Sequence, residues 1–206
     1  MRQSTLQSGV VFGILRFSML YAFLGLLVLV VLLLGWEWIE GSRARRFAQR
    51  HGLRPVRGSI DTHSPLVGEI GGMRVEWNPE RVNVGQRARE SRVIVTLEWK
   101  SRDIGILQRW KSGWIELSVQ TPAGLQRVEL ASPLSEEYEL WGSASRQRPW
   151  AWLEAPEIVQ QLRGFRALRR IQCLGTGIAF VVKGDLGDVQ TMERVWRLLD
   201  ELVSKG

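Results

Sequence analysis

The chain predicts an α+β protein in which an N-terminal single transmembrane helix precedes an antiparallel sheet covered by two C-terminal helices. Three observations carry that expectation. Residues 17–35 run for nineteen positions without a charged side chain. From Gly58 onward short segments alternate apolar and polar residues, broken by Gly and Pro, which is how antiparallel strands with one wet face read. In the last third the apolar residues switch to helical spacing, as elements that cover a sheet do.

In chain order, residues 1–16 form an N-terminal segment whose only charged side chains are Arg2 and Arg16. The uncharged run 17–35 follows, and at ~1.5 Å per helical residue it reaches ~28 Å, close to the ~30 Å hydrocarbon thickness of a bilayer. A cleaved signal peptide is disfavoured, because its apolar core is shorter and a small-residue cleavage site follows it closely, whereas Trp36, Glu37 and Trp38 follow here. Two indoles at that point suit the membrane–water interface. Residues 36–57 read as a basic juxtamembrane helix and linker that stops near Gly52 and Pro55. Arg43, Arg45, Arg46, Arg50, Arg54 and Arg57 outnumber the two arginines before the span. That asymmetry predicts an integral protein of a bacterial inner membrane with its C-terminal domain in the cytoplasm. Arg43, Arg45, Arg46 and Arg50 are also candidate contacts to anionic lipid, each basic residue contributing ~1 kcal/mol near an acidic leaflet. Topogenic charge alone is the simpler role for them.

Residues 58–206 are expected to form one soluble α+β domain. Leu66–Ile70 and residues 73–77 flank Gly71-Gly72, a two-residue linker suited to a tight hairpin. In the second arm Met73, Val75 and Trp77 share one face and Arg74 and Glu76 the other. The alternation recurs in residues 92–99, 115–119, 128–130 and 138–140, giving five or six strands in one sheet. Pro79, Gly85, Gly105, Gly113, Pro122 and Pro133 fall between these runs as expected turns. Pro156 opens a helix in which Ile158, Leu162, Phe165 and Leu168 or Arg169 follow helical spacing, with Arg163, Arg166 and Arg170 together on the opposite face. Residues 171–174 and 178–182 read as strands that join or flank the sheet. Asp188 is an N-cap for a last helix whose apolar stripe is Val189, Met192, Trp196, Leu199 and Val203, widened by Val195 and Leu202.

Chemistry-bearing residues are sparse. His51 and His63 are the two imidazoles, and neither has a His or Cys at metal-ligand spacing. Asp61 suits a polar loop, and Asp185 and Asp188 suit a helix start. With Cys173 as the single cysteine, an intramolecular disulfide and a Cys-based zinc cluster are excluded. No phosphate-binding glycine loop, nucleophile elbow or dinucleotide fingerprint is present. The expectation is a protein that is not an enzyme, with no catalytic, cofactor-binding or metal-ligating residue to nominate.

The net charge of +7 arises from 28 basic and 21 acidic side chains, dispersed along the chain. Dispersal of this kind disfavours nucleic acid as a partner. Ten tryptophans are many for 206 residues, and an exposed Trp beside Arg is a natural docking element. Trp110 and Trp114 bracket Lys111, and Trp150 and Trp152 follow Arg146 and Arg148. With Arg163, Arg166 and Arg170 they form the candidate interaction surface for an unknown protein partner.

From about residue 136 onward, Trp141-Gly142, Leu153, Pro156 and Leu162 sit in a strand–helix–strand–helix order that resembles uncharacterised bacterial membrane-associated proteins. The resemblance spans less than half the chain and implies no activity, ligand or site. The expected function is a single-pass membrane-anchored interaction or scaffolding module at the membrane surface. Binding of anionic lipid or nucleic acid by a tethered domain is the alternative.

Overall fold

A computed structural model describes residues 4–84, 88–99, 104–109, 124–130, 133–143 and 150–205. The chain divides into two compact units, Met1–Ile39 and Glu40–Gly206.

The described residues of the first unit belong to helix α1 (Ser4–Arg50). Within α1, Phe23–Arg50 contains a window long and apolar enough to cross a membrane, the one such helix among the described residues. None of that window is buried. Leu24, Leu26, Leu27, Val28 and Leu29 are all exposed, an arrangement that water disfavours and a hydrocarbon surround does not.

The second unit is α+β. Among the described residues its strands are β1 (Arg54–Pro55), β2 (Leu66–Ile70), β3 (Met73–Val84), β4 (Ala88–Leu97), β5 (Ile104–Arg109), β6 (Leu125–Val128), β7 (Tyr138–Ser143), β8 (Leu168–Leu174) and β9 (Ile178–Lys183). They form a single sheet in the order β1-β2-β3-β4-β9-β8-β5-β7-β6, antiparallel at every pairing. The hairpin β8–β9 enters last in sequence yet lies in the middle, joining β1–β4 to β5–β7. Its composition suits that place: β9 reads Ile-Ala-Phe-Val-Val, with apolar residues on both sides of the strand.

Several sequence expectations hold. The β2–β3 hairpin turns at Gly71 and Gly72, both at positive φ (56° and 77°), and a Cβ on Gly71 would come within 2.2 Å of Val203. Asp188 accepts a hydrogen bond from the Thr191 amide at 3.2 Å and caps helix α3 (Val189–Lys205).

Other expectations are corrected. Pro79, expected in a turn, lies inside β3 opposite Val93. It falls beyond the last residue that pairs with β2, where β3 has become an edge and a missing N–H is tolerated. Gly105, also expected in a turn, lies in β5 opposite Gly142. A Cβ there would stand 2.6 Å from the Trp141 carbonyl and 3.3 Å from the Trp150 ring, so a side chain is excluded. Helix α2 (Pro156–Leu162) is shorter than its apolar spacing suggests. Gly164, at φ 66°, turns the chain away. The Arg194 guanidinium then closes the helix end, donating to the carbonyls of Gln161 at 2.7 Å and Arg163 at 2.9 Å while lying over the Phe165 ring. The expected strand 115–119 lies outside the described residues.

One face of the sheet is apolar. Val75, Trp77, Val93, Val95, Leu97, Ile171, Ile178, Phe180 and Val182 are fully buried there. The two C-terminal helices contribute Ile158, Leu162, Met192, Val195, Leu198, Leu199 and Leu202 to the same core. Ala44, Phe47 and Ala48 of α1 are buried with them. The segment expected to be a basic juxtamembrane helix therefore supplies a third covering element.

Candidate functional site

The basic turns of α1 are partitioned by that packing. With Ala44, Phe47 and Ala48 buried, Arg43, Arg45, Arg46 and Arg50 are left exposed. Arg45 and Arg46 donate through Nε to the carbonyls of Gly41 and Ser42 one turn back, at 3.3 and 3.4 Å. Among the described residues no carboxylate lies in ion-pair distance of Arg43, Arg45 or Arg46. Arg50 differs: its Nη1 meets the Glu193 carboxylate at 2.6 Å. His51 Nε2 meets the other oxygen of Glu193 at 2.9 Å.

His51 is thereby a structural residue. Its ring lies 4.8 Å from Phe47 and 4.3 Å from Trp196, and Phe47 meets Trp77 edge-on at 5.2 Å. These aromatic contacts tie the end of α1 to β3 and α3.

The expected interaction surface is dispersed. Trp110 and Trp114 lie outside the described residues. Trp150 is buried, seated in the slot that Gly105 opens, so its indole is core and not a docking element. Trp152 stacks on it at 5.2 Å and is half-buried. Arg163, Arg166 and Arg170 do not share a helix face: Arg163 is the C-cap of α2, Arg166 follows in an exposed turn, and Arg170 belongs to β8.

The remaining polar residues have local roles. Burial alone would raise the Asp61 carboxyl, but hydrogen bonds from the backbone of His63 and the hydroxyl and amide of Ser64 hold it below its ordinary range. The His63 ring meets Arg81 at 2.7 Å. Asp185 accepts from the amides of Gly187 at 2.8 Å and Asp188 at 3.3 Å, a turn that precedes α3. Among the described residues no three His, Cys, Asp or Glu side chains cluster as metal ligands would. The Arg109–Glu137 ion pair and the Tyr138 hydroxyl, which donates to the Leu162 carbonyl at 3.0 Å, join β5 and β7 to the end of α2. Glu137 also accepts from the Gly164 amide at 3.1 Å.

Sequence reasoning missed a second basic cluster, on the sheet face that no helix among the described residues covers. Arg92 of β4 and Lys183 of β9 are cross-strand partners, and Arg169 and Arg170 stand beside them on β8. The signal available was the alternation that sets Arg92 on the polar side of β4; the neighbours on β8 and β9 lie 77 to 91 residues further along the sequence.

No protein family matches the chain, and no curated protein is significantly similar to it. Among solved structures, the crystal structure of the mycobacterial trehalose monomycolate transport factor A, TtfA, is similar at 11% identity and a TM-score of 0.43, over 79% of this chain and 95% of that one. A likeness of that degree carries no inference about activity.

Proposed function

We propose that this chain is a single-pass protein of a bacterial inner membrane whose α+β domain faces the cytoplasm and serves, without catalysis, as an interaction module at the membrane surface. The observation that carries the reading is the apolar window of α1, none of it buried by the rest of the chain. A helix with that much exposed hydrocarbon is stable in lipid and not in water. The excess of arginine on its C-terminal side supports the cytoplasmic orientation. A second reading, engagement of anionic lipid, is favoured by Arg43, Arg45 and Arg46, exposed and without a carboxylate partner among the described residues.

Two measurements test the first reading. The protein is expected to stay with membranes through an alkaline carbonate wash and to leave them only with detergent. For orientation, Cys173→Ser removes the buried native thiol and Ser204→Cys places a new one at an exposed position. Protection from a membrane-impermeant thiol reagent until the cells are lysed is the expected result. Labelling of intact cells would place the domain on the other side.

A further inference from the structure

The open face of the sheet carries an unbalanced concentration of charge. Glu90 and Arg92 lie two residues apart on β4 and so share a face. Glu90 Oε1 accepts from Arg92 Nε at 2.9 Å. Its second oxygen lies 3.7 Å from Arg169 Nη2 and 3.8 Å from Lys183 Nζ. Those separations are ion pairs beyond hydrogen-bond length, so the donors of Arg169 and Lys183 are not spent on Glu90. Arg170 has no hydrogen-bond or ion-pair acceptor among the described residues. Burial lowers its hold on the proton, and the charge of neighbouring Arg92 lowers it further.

Two adjacent arginines reach one face because the strand is irregular. Leu168 pairs with Val182 and Arg170 with Val181, so Arg169 is an extra residue in β8. Such a bulge resets the alternation of the strand. Leu168 and Ile171 are fully buried on the covered side, and both residues between them are kept out of the core. Three cations thus surround one carboxylate, with Arg170 beside Arg92 as a fourth, in a setting where the Arg92 side chain is only 9% and the Arg169 side chain only 21% exposed. Partly desolvated like charges repel strongly unless an anion joins them.

We propose that Arg92, Arg169, Arg170 and Lys183 form a binding site for a phosphate group on the sheet face opposite the helices. The guanidinium forks supply paired donors matched to phosphate oxygens, and Lys183 adds a mobile point charge at the half-exposed rim. Glu90 holds Arg92 by Nε and leaves its terminal nitrogens to the ligand. The site does not depend on the membrane reading, because every residue in it belongs to the sheet.

The test uses the full chain in neutral maltoside micelles, titrated calorimetrically with inorganic phosphate and separately with dihexanoyl phosphatidic acid, each against chloride at matched ionic strength. Saturable binding is expected, with tighter binding of the lipid probe assigning a headgroup and tighter binding of the free ion assigning soluble phosphate. Arg170→Gln and Lys183→Gln should each weaken it roughly tenfold or more. Arg197→Gln, on the exposed side of α3, should bind as the parent does. The proposal is overturned if neither probe binds saturably, or if Lys183→Gln, a change at a half-exposed side chain, and Arg170→Gln keep parental affinity with unchanged near-ultraviolet dichroism.

Discussion

On the helix-covered side of the sheet, Val93, Val95 and Leu97 of β4 stand opposite Val182, Phe180 and Ile178 of β9, and all six are fully buried. One residue out of phase, Arg92, Ile94 and Thr96 stand opposite Lys183, Val181 and Ala179 on the other side. There Ile94, Thr96, Val181 and Ala179 are only half-buried, and Arg92 lies buried beside Glu90. The same two strands build a hydrocarbon layer on one face and a charged, partly desolvated surface on the other. Covering helices make the difference: apolar area removed from water stabilises the first face, whereas the second is free to hold charge that a ligand can complete.

The contrast can be broken experimentally, beginning with its largest expected effect. Phe180→Ala removes a fully buried ring from the centre of the covered face and should cost about 3–5 kcal/mol in urea unfolding of the full chain in micelles. A loss below about 1 kcal/mol would mean that the helices do not hold that layer shut.

Tyr138 probes the same face through pH. Burial, opposed in part by the nearby Arg109 charge, pushes its phenol up to about 12 from an ordinary 10. A folded-state pKa above the unfolded one favours the folded protein fully below about pH 10 and loses that contribution as pH rises towards about 12. The loss should amount to roughly 2–3 kcal/mol across that window. In a Tyr21→Phe background, absorbance titration should show the single remaining phenol ionising near its raised value while the chain stays folded. Ionisation near 10 with no change in stability would show that the hydroxyl is solvated.

The smallest effect belongs to the open face. Arg74 and Glu76 form an ion pair with both side chains well exposed, and Arg74→Gln should change stability by less than about 0.5 kcal/mol. A cost comparable with that of Phe180→Ala would erase the distinction between the faces.

Legibility in the sequence followed the range of the interaction. The β2–β3 hairpin and the Asp188 cap were readable because a turn and a cap are made within a few residues. Helix α2 reads as longer than it is because Ile158, Leu162, Phe165 and Leu168 satisfy a helix as well as they satisfy a helix, a turn and a strand. The carbonyls that end it are bound by Arg194, some thirty residues away. Trp150 reads as a surface residue for a similar reason, since the slot that buries it is opened by Gly105 on a distant strand.

By itself the sequence determined the apolar run of α1, the α+β class and the phase of strands such as β4, because hydrophobicity and period are local properties of the chain. Tertiary structure alone decided that the last hairpin lies at the centre of the sheet and that Ala44, Phe47 and Ala48 belong to the core. It also decided that Arg92, Arg169 and Lys183 meet around Glu90, with Arg170 beside Arg92. Each of these depends on which strands pair and in what register, and pairing energy is gained only when residues remote in sequence come together.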